Sequence, residues 1–266
     1  MGLMSGKRGL IMGVANNHSI AWGCAQALHA QGAELAFTYQ GHAFERRVKP
    51  LADSLGSEIV MDADVQNPDS LDAVFARLER DWGKIDFAVH AIAYSDKTEL
   101  QGRFADTTRE NFLNSMDISC YSFVDIARRS AALMPDGGAL ITMSYLGAQR
   151  VMPNYNVMGV AKAALEASVR YLANDLGPQG IRVNALSPGP MRTLAGSAVG
   201  GARRVFRHAE ENSPLRRNAT LEDVGGAAVY LLSDLGGSTS GDVLFVDCGY
   251  HAIGMTQLEN MPSPSG

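Results

Sequence analysis

Seven short apolar runs, separated by longer stretches of helical character, constrain the fold of this chain more than any other feature. They begin at Arg8, Ala33, Ser57, Ile85, Gly138, Ile181 and Asp242. Near-continuous apolar strands that alternate with helices are typical of a parallel sheet covered on both faces. The sequence therefore predicts an α/β fold: a single doubly wound, Rossmann-type domain of about seven parallel strands with helices on both faces.

No internal repeat or linker divides the 266 residues. We expect the domain to span residues 1–255 and a loose tail to occupy residues 256–266, which end in ENMPSPSG. Residues at about 189–219 form a long connection between the sixth strand and the next helix. Such connections are usually lids or binding loops, and ligands of open α/β sheets bind beyond the carboxyl ends of strands. The connection is therefore predicted to be a lid.

Composition excludes several classes of protein. The chain is 46% hydrophobic and 19% charged, which is ordinary for a soluble globular protein, and no apolar run approaches the ~20 residues of a membrane span. We therefore expect a cytoplasmic protein without a membrane partner. The net charge of −5 argues against nucleic acid. Cys24, Cys120 and Cys248 lack metal-ligand spacing, so buried free thiols and no metal site are expected.

A glycine turn follows the first strand. The stretch GVANNHSIAWG, from Gly13 to Gly23, leaves the strand and enters a helix at about Ser19. The N–H groups of such a turn and a helix N-terminus suit the pyrophosphate of a dinucleotide. The middle glycine of the usual G-x-G-x-x-G is absent, and a plain strand-to-helix turn explains these residues about as well.

Two further segments lie where the adenosine of a dinucleotide would bind. The second strand ends at Gln40, where neither an acidic residue nor an arginine is present, so the usual rule for choosing between NAD and NADP does not apply. The stretch DADV, Asp62 to Val65, follows the third strand. An aspartate beside an apolar residue suits an adenine ring, but Asp62 equally suits the capping of a turn.

The stretch NYNVMGVAKAALEA places Tyr155 and Lys162 seven residues apart in a predicted helix. At that spacing they lie within about 20° of each other and about 10 Å apart along the axis. The lysine side chain leans toward the helix N-terminus and so reaches back toward the tyrosine. The pair is suited to hold one small ligand. Taken alone, a core aromatic and a solvated lysine explain the same spacing.

These features resemble the short-chain dehydrogenase/reductase superfamily over almost the whole chain. The matching segments are the glycine turn, DADV, SYLGAQRVMPNYNVMGVAKAALE and LSPGPMRT. The details are similar to the enoyl-acyl-carrier-protein reductase branch, in which Gly13-x5-Ser19-Ile20-Ala21-x-Gly23 replaces the ordinary glycine motif and HAIA, at 90–93, replaces N-N-A-G. Tyr145 also stands near the place of a serine in carbonyl-reducing members, and MDIS, at 116–119, stands where many of them have an asparagine.

The resemblance implies a cofactor, a set of site residues and an activity. The activity is the NADH-dependent reduction of the trans-2 double bond of enoyl thioesters in fatty-acid elongation, with NADPH less favoured. Catalytic residues are implied at Tyr145, Tyr155 and Lys162, and substrate contacts at Ser95, Tyr145 and Tyr155. Cofactor contacts are implied at Gly13, Ser19, Ile20, Gln40, Asp64, Val65, Ile92, Lys162, Met191, Arg192, Thr193, Leu194 and Ala195. The chain departs from the family at Met191, usually isoleucine, and Pro188, usually alanine, which puts the fit of inhibitors and acyl chains in doubt.

The chemistry of an enoyl thioester gives each catalytic residue a role. Hydride addition to the β-carbon moves negative charge to the thioester oxygen as an enolate. A neutral phenol is a good donor to that oxygen, and one such donor typically supplies about 3 to 4 kcal/mol. Tyr155 fits this role, while Lys162 is expected to bind the nicotinamide ribose and add positive potential. Tyr145 shields the site, assists protonation or only packs.

The lid sequence contains Arg203, Arg204 and Arg207 on adjacent turns of a predicted helix. A solvated helix face is one interpretation. The other is that these arginines contact the acidic acyl carrier protein while Val199, Val205 and Phe206 close over the acyl chain. The resemblance also implies a homotetramer.

Two other functions stay open from the sequence. A short-chain dehydrogenase acting on a 3-oxoacyl or other carbonyl substrate would usually have the serine that Tyr145 replaces. A non-catalytic nucleotide-sensing protein would tolerate loss of Tyr155 or Lys162, and both are present.

Overall fold

A computed structural model describes residues 2–194, 196 and 200–261. Its seven strands form one parallel sheet in the order β3-β2-β1-β4-β5-β6-β7. The strands are β1 Arg8–Met12, β2 Glu34–Tyr39, β3 Ile59–Asp62, β4 Phe87–His90, β5 Gly138–Met143, β6 Ile181–Pro188 and β7 Val243–Val246. The predicted doubly wound fold is thereby confirmed, and the strand order reverses between β1 and β4.

Helices cover both faces of the sheet. The described helices are α1 Ile20–Ala30, α2 His42–Ser54, α3 Pro68–Trp82, α4 Arg109–Met116, α5 Ser122–Ala132, α6 Asn156–Leu176, α7 Ala202–Asn212 and α8 Leu221–Leu232. A π-helical turn, Asp117–Tyr121, joins α4 to α5. One core lies between the sheet and α1, α2 and α8, and a second lies between the sheet and α3, α5 and α6. Successive strand residues alternate between them, as Ile11 and Met12 do.

Local sequence fixes where several helices begin. The Asn67 side chain accepts from the N–H of Asp69 and precedes a proline at the first helical position of α3. Thr220 and Asp223 form a reciprocal capping box at the start of α8. Helix α1 begins at Ile20, close to the start expected at about Ser19, although the Ser19 side chain makes no capping hydrogen bond to it.

Two expectations from the sequence need correction. Helix α6 begins at Asn156, and Tyr155 is its N-cap residue rather than a helical residue. The reason is local, because Asn154 and Asn156 on either side have φ of 57° and 29°, which breaks helical geometry there. The end of the described chain is also docked rather than loose: the backbone N–H of Gln257 donates to Oδ1 of Asn212 at 2.8 Å. Residues 262–266 lie outside the described part.

The three cysteines are free thiols, as predicted. Cys24 and Cys120 are buried, but Cys248 is only half-buried, so the expectation of burial was wrong for that residue. Cys248 follows the short strand β7 and has a φ of 58°. It therefore lies in a turn at the sheet edge and not in the core.

Helices α1 and α8 cross at glycines. A Cβ on Gly225 would lie 2.7 Å from Cβ of Ala27 and 2.7 Å from the carbonyl oxygen of Gly23, whereas a Cβ on Gly226 would meet nothing within 4 Å. The first substitution overpacks the crossing and the second does not.

We expect Gly225→Ala to lower the free energy of unfolding by about 1 to 3 kcal/mol, because the two helices must move apart. The matched control, Gly226→Ala in the same helix, should raise it by up to about 1 kcal/mol, because glycine is the poorer helix former. Urea unfolding followed by circular dichroism measures both. Equal stability of the two variants would show that the crossing adjusts freely.

Candidate active site

A cleft of about 1770 Å³ lies at the carboxyl edge of the sheet. It contains every described residue that the sequence placed in the site. These are Gly13, Ser19, Ile20, Gln40, Asp64, Val65, Ile92, Ser95, Tyr145, Tyr155, Lys162, Met191, Arg192, Thr193 and Leu194. Ala195 and Val199 lie outside the described residues. The segments that line the cleft follow β1, β2, β3, β4, β5 and β6, so one topological edge assembles residues far apart in the chain.

The glycine turn after β1 forms a tight cradle. Gly13 has a φ of +101°, and a Cβ there would lie 2.1 Å from the carbonyl oxygen of Ala91. The Ser19 hydroxyl accepts from the N–H groups of Ala15 at 3.0 Å and Asn16 at 3.1 Å, and it does not cap α1. The first N–H groups of a helix have no partner within the helix. The start of α1 at Ile20 is therefore suited to an anion in the cleft.

The far end of the cleft is lined by Gln40, Asp64 and Val65. Oδ1 of Asp62 accepts from the N–H of Gly41 at 2.7 Å, which favours the turn-capping interpretation of this residue. Oδ1 of Asp64 accepts from the N–H of Gln66 at 3.0 Å. The arginines of the following helix, residues 46 and 47, are exposed and do not line the cleft.

The two tyrosines meet in the middle of the cleft. Their ring centroids lie 5.0 Å apart in an edge-to-face arrangement at 68°. Tyr145 lies two residues beyond the end of β5 in extended backbone. Burial raises the pKa of Tyr145 to about 12, with a smaller effect of Tyr250. Burial and the neighbouring Tyr145 also raise the pKa of Tyr155, so both phenols are neutral donors at physiological pH.

Lys162 is buried, at 5% exposure, and its Nζ donates to the carbonyl oxygen of Met143 at 2.7 Å. This excludes the interpretation of a solvated lysine. Burial lowers the Lys162 pKa to about 8, and the charges of Cys120 and Glu166 oppose that shift. The group is therefore an ammonium at neutral pH that loses its charge as the pH rises through about 8. An ammonium has three donors, and two remain beyond the bond to Met143.

A neutral histidine braces the sheet beneath the site. His90, in β4, lies with Nδ1 2.9 Å from Oγ1 of Thr142 and Nε2 2.9 Å from Oγ of Ser122. The Ser122 hydroxyl itself donates to the carbonyl of Ile118 at 2.6 Å, so it accepts from Nε2–H and fixes the tautomer. Burial, and then the charge of Lys162, lowers the His90 pKa to about 3.

The π-helical turn supports the segment of the cleft that contains Tyr94 and Ser95. Ser119 ends the stretch MDIS, and its hydroxyl accepts from the N–H of Tyr94 and donates to the Tyr94 carbonyl, both at 3.0 Å. The next residue, Ser95, accepts from Oγ of Ser115 at 2.9 Å and donates to Oδ1 of Asn111 at 3.2 Å. The backbone expected to contact substrate is therefore held from below by side chains of α4 and the π-helical turn.

Helix α7 closes one side of the cleft. Arg203 and Arg207 line the cleft, together with Val205 and Phe206, while Arg204 does not. The guanidinium of Arg192, in the connection after β6, lies 4.6 Å from the ring centroid of Phe206. This cation–π contact joins the connection after β6 to helix α7.

Sequence reasoning missed the groups that hold the site from behind. The Glu166 carboxylate accepts from the Ser144 hydroxyl, and Lys162 donates to the carbonyl of Met143. One signal was present, because Glu166 follows Lys162 by one helical turn and so lies on the same side of α6. The contact between Arg192 and Phe206 joins segments whose relative position no local pattern specifies.

A doubly wound sheet with a phenol and a buried ammonium at its carboxyl edge, beside a glycine-lined helix start, defines the class of short-chain dehydrogenases and reductases. Residues 13–251 match the model of the family described as enoyl-(acyl carrier protein) reductase. The chain belongs to the enoyl-(acyl carrier protein) reductase family.

Individual relatives agree over nearly the full length. The protein named enoyl-[acyl-carrier-protein] reductase [NADH] 2 of Rhizobium meliloti is 60% identical, with 97% of this chain and 96% of the relative covered. The enoyl-acyl-carrier-protein reductase of Anaplasma phagocytophilum, solved in complex with NAD, is 57% identical with a TM-score of 0.94, covering 97% of this chain and 98% of that one. The Bacillus cereus reductase, solved with NADP⁺ and an indole naphthyridinone, is 49% identical with a TM-score of 0.94, covering 96% and 100%.

Within the described residues, no helix has the length and apolar character needed to cross a membrane.

Proposed function

We propose that this chain is an NADH-dependent enoyl-acyl-carrier-protein reductase that reduces the trans-2 double bond of enoyl thioesters during fatty-acid elongation. The observation that carries the proposal is the edge-to-face pair of neutral phenols, Tyr145 and Tyr155, in the same cleft as the buried Lys162. A carbonyl reductase of the same superfamily usually has a serine near the position of Tyr145. Membership of the reductase family supports the same conclusion.

The residues present fit a dinucleotide. The cradle at Gly13 has no room for a Cβ, and Ser19, Ile20 and Ala21 at the start of α1 line the cleft, where the free N–H groups of a helix start suit a pyrophosphate. Gln40, Asp64 and Val65 would hold the adenosine, Ile92 the middle of the cofactor, and residues 191–195 the nicotinamide amide and the phosphates. NADH is favoured over NADPH because Gln40 offers no charge to a 2′-phosphate and the arginines of α2 do not line the cleft. Bound NADH would supply the hydride for the β-carbon.

The chain's own residues would stabilise the charge that develops on the substrate. The Tyr155 hydroxyl would donate to the thioester oxygen as it becomes an enolate, which is the largest electrostatic contribution expected here. Lys162 would hold the nicotinamide ribose with its remaining donors and add positive potential. Tyr145 would exclude water from one side and keep the Tyr155 ring in place. Ser95 would contact the substrate through its backbone.

The partner implied by this activity is the acyl carrier protein. Arg203, Arg204 and Arg207 are exposed on α7 and supply a basic surface next to the cleft in an acidic chain. Val205 and Phe206, which line the cleft, would cover the acyl chain. We place the reductase domain at residues 1–255 with its lid at about 189–219, and we propose a cytoplasmic homotetramer.

The first test compares two substrates. Purified protein should oxidise NADH with crotonyl thioester and turn over acetoacetyl thioester at least about a hundredfold more slowly, because an enolate-binding site does not protonate an alkoxide as effectively. The absorbance of NADH at equal enzyme concentration measures both rates. Comparable turnover of the two substrates would mean that the protein is a carbonyl reductase, and no turnover of either would favour a nucleotide sensor.

Substitutions of Tyr155 and Lys162 should impair different steps, turnover in the first case and NADH binding in the second. Tyr155→Phe keeps the ring but loses the donor, so kcat should fall about 10²- to 10³-fold while the Kd for NADH changes little. Lys162→Met keeps the buried stem but loses the charged donor, so the Kd for NADH should rise about 30-fold, which corresponds to about 2 kcal/mol. NADH fluorescence gives Kd and initial rates give kcat. A Tyr155→Phe enzyme with normal kcat would transfer the donor role to Tyr145 or water.

Charge reversal at the arginines of α7 should raise KM for a carrier-bound substrate and leave KM for a small thioester unchanged. Arg204→Glu should raise KM for an enoyl carrier protein about fivefold and leave KM for an N-acetylcysteamine thioester unchanged, because Arg204 does not line the cleft. Arg203→Glu, at the cleft, should affect the carrier substrate at least as strongly. The control Arg80→Glu reverses an exposed charge on α3 and should change neither KM. If Arg204→Glu alters both substrates equally, the arginine acts on the site and not on the partner.

A further inference from the structure

One turn of the chain controls the position of both tyrosines. Residues 144–149 connect β5 to the approach of α6, and Tyr145 is part of this turn. Gly147 packs against the Tyr155 ring so closely that a Cβ on it would lie 2.4 Å from Cδ1 of Tyr155. A movement of this turn by a fraction of an ångström would therefore displace one phenol directly and the other by contact.

A single buried carboxylate holds both ends of that turn. Oε1 of Glu166 accepts from the hydroxyl of Ser144 at 2.6 Å, and Oε2 accepts from Nε2 of Gln149 at 3.1 Å. Glu166 is 5% exposed. Within the described chain, no lysine or arginine forms an ion pair with it. A buried carboxylate costs free energy through desolvation, so its two donors from one turn are what stabilise it there.

The same carboxylate lies one helical turn after the buried lysine. Lys162 reaches the residue just before the turn, since its Nζ donates to the carbonyl of Met143. Two side chains of α6 thus hold residues 143–149 at three points. Lys162 bonds to Met143, and Glu166 bonds to Ser144 and Gln149. The negative charge of Glu166 also favours the protonated form of Lys162.

We propose that Glu166 is a positioning residue of the reaction: its carboxylate clamps residues 144–149 to α6 and so orients Tyr145 and Tyr155. The catalytic effect of the clamp rests on the proposed function. Its effect on the position of residues 144–149 follows from the two hydrogen bonds alone. Glu166 does not line the cleft.

The electrostatic part of the clamp has a defined sign. The groups that face Lys162 are Glu166 on its own helix, Cys120 from the π-helical turn and the neutral His90 from β4. Removing the negative charge of Glu166 lowers the pKa of Lys162 further below about 8. If the ammonium is the active form, the alkaline limb of kcat/KM then moves to lower pH.

The test uses Glu166→Gln, which keeps the size of the side chain. Its amide oxygen still accepts from Ser144, and its amide N–H donates to Gln149 once the Gln149 amide turns over, but both bonds lose the charge assistance of a carboxylate. We expect kcat with crotonyl thioester to fall about tenfold, KM for NADH to stay within about twofold and the alkaline limb to shift to lower pH. Asp175→Asn removes an exposed charge from the same helix and should leave kcat, KM and the pH profile unchanged.

A reciprocal variant separates positioning from simple stability. In Glu166→Gln combined with Gln149→Glu, the new amide at position 166 donates to the new carboxylate at position 149, so the grip on the turn is restored. We expect kcat to recover at least about threefold relative to the single variant. An unchanged kcat in Glu166→Gln, or a fall with no shift of the pH limb and no recovery in the double variant, would overturn the clamp.

Hydrogen exchange of the peptide covering residues 144–149 gives a readout that needs no turnover. Its exchange should speed up at least about threefold in Glu166→Gln, slow again in the double variant, and match the parent in Asp175→Asn. Unaltered exchange in Glu166→Gln would refute the clamp whatever the activity. A parent protein that reduces no enoyl thioester would instead refute the proposed function, and exchange of this peptide would still decide whether the clamp exists.

Discussion

The parallel pairing of β1 with β4 is the constraint on which the rest of this molecule depends. It brings Met12 beside His90 and so joins the two halves of the sheet at the point where strand order reverses. The next residue, Gly13, passes so close to the Ala91 carbonyl that only glycine fits. The chain leaves the sheet in opposite directions on either side of this contact, and the crevice between the two paths is the cleft. The segments after β2, β3, β5 and β6, together with α7, add the other walls of that crevice.

The fold was predictable because its signals are local and repeated. Seven apolar runs with helices between them leave few topologies for a chain without repeats, and the boundaries agree within about two residues except at β4. The run that starts at Ile85 extends to residue 93, yet only Phe87–His90 is strand. The residues beyond it leave the sheet to line the cleft, so apolar character there reflects a ligand surface and not strand pairing.

The residues that line the candidate site could be predicted from the sequence, but the groups that hold them in place could not. Tyr155 and Lys162 are separated by a recognisable interval, and the glycine turn follows the first strand. The partners of Lys162 come from β5 and from the buried face of its own helix, and their roles depend on tertiary distances that periodicity does not encode. The misplaced helix start at Tyr155 has the same origin, because two asparagines with positive φ override the helical pattern of the sequence.

The docking of residues 257–260 to helix α7 has a mechanical consequence. Gln257 and Asn260 bond to Asn212 and Glu211, at the last turn of that helix. The helix is thereby fastened at one end, and its opposite end, near Ala202, borders the cleft. A movement of α7 would therefore be smallest at its end near Asn212 and largest near Ala202. Residues 257–260 thus restrain helix α7 and are not only an appendage to the sheet.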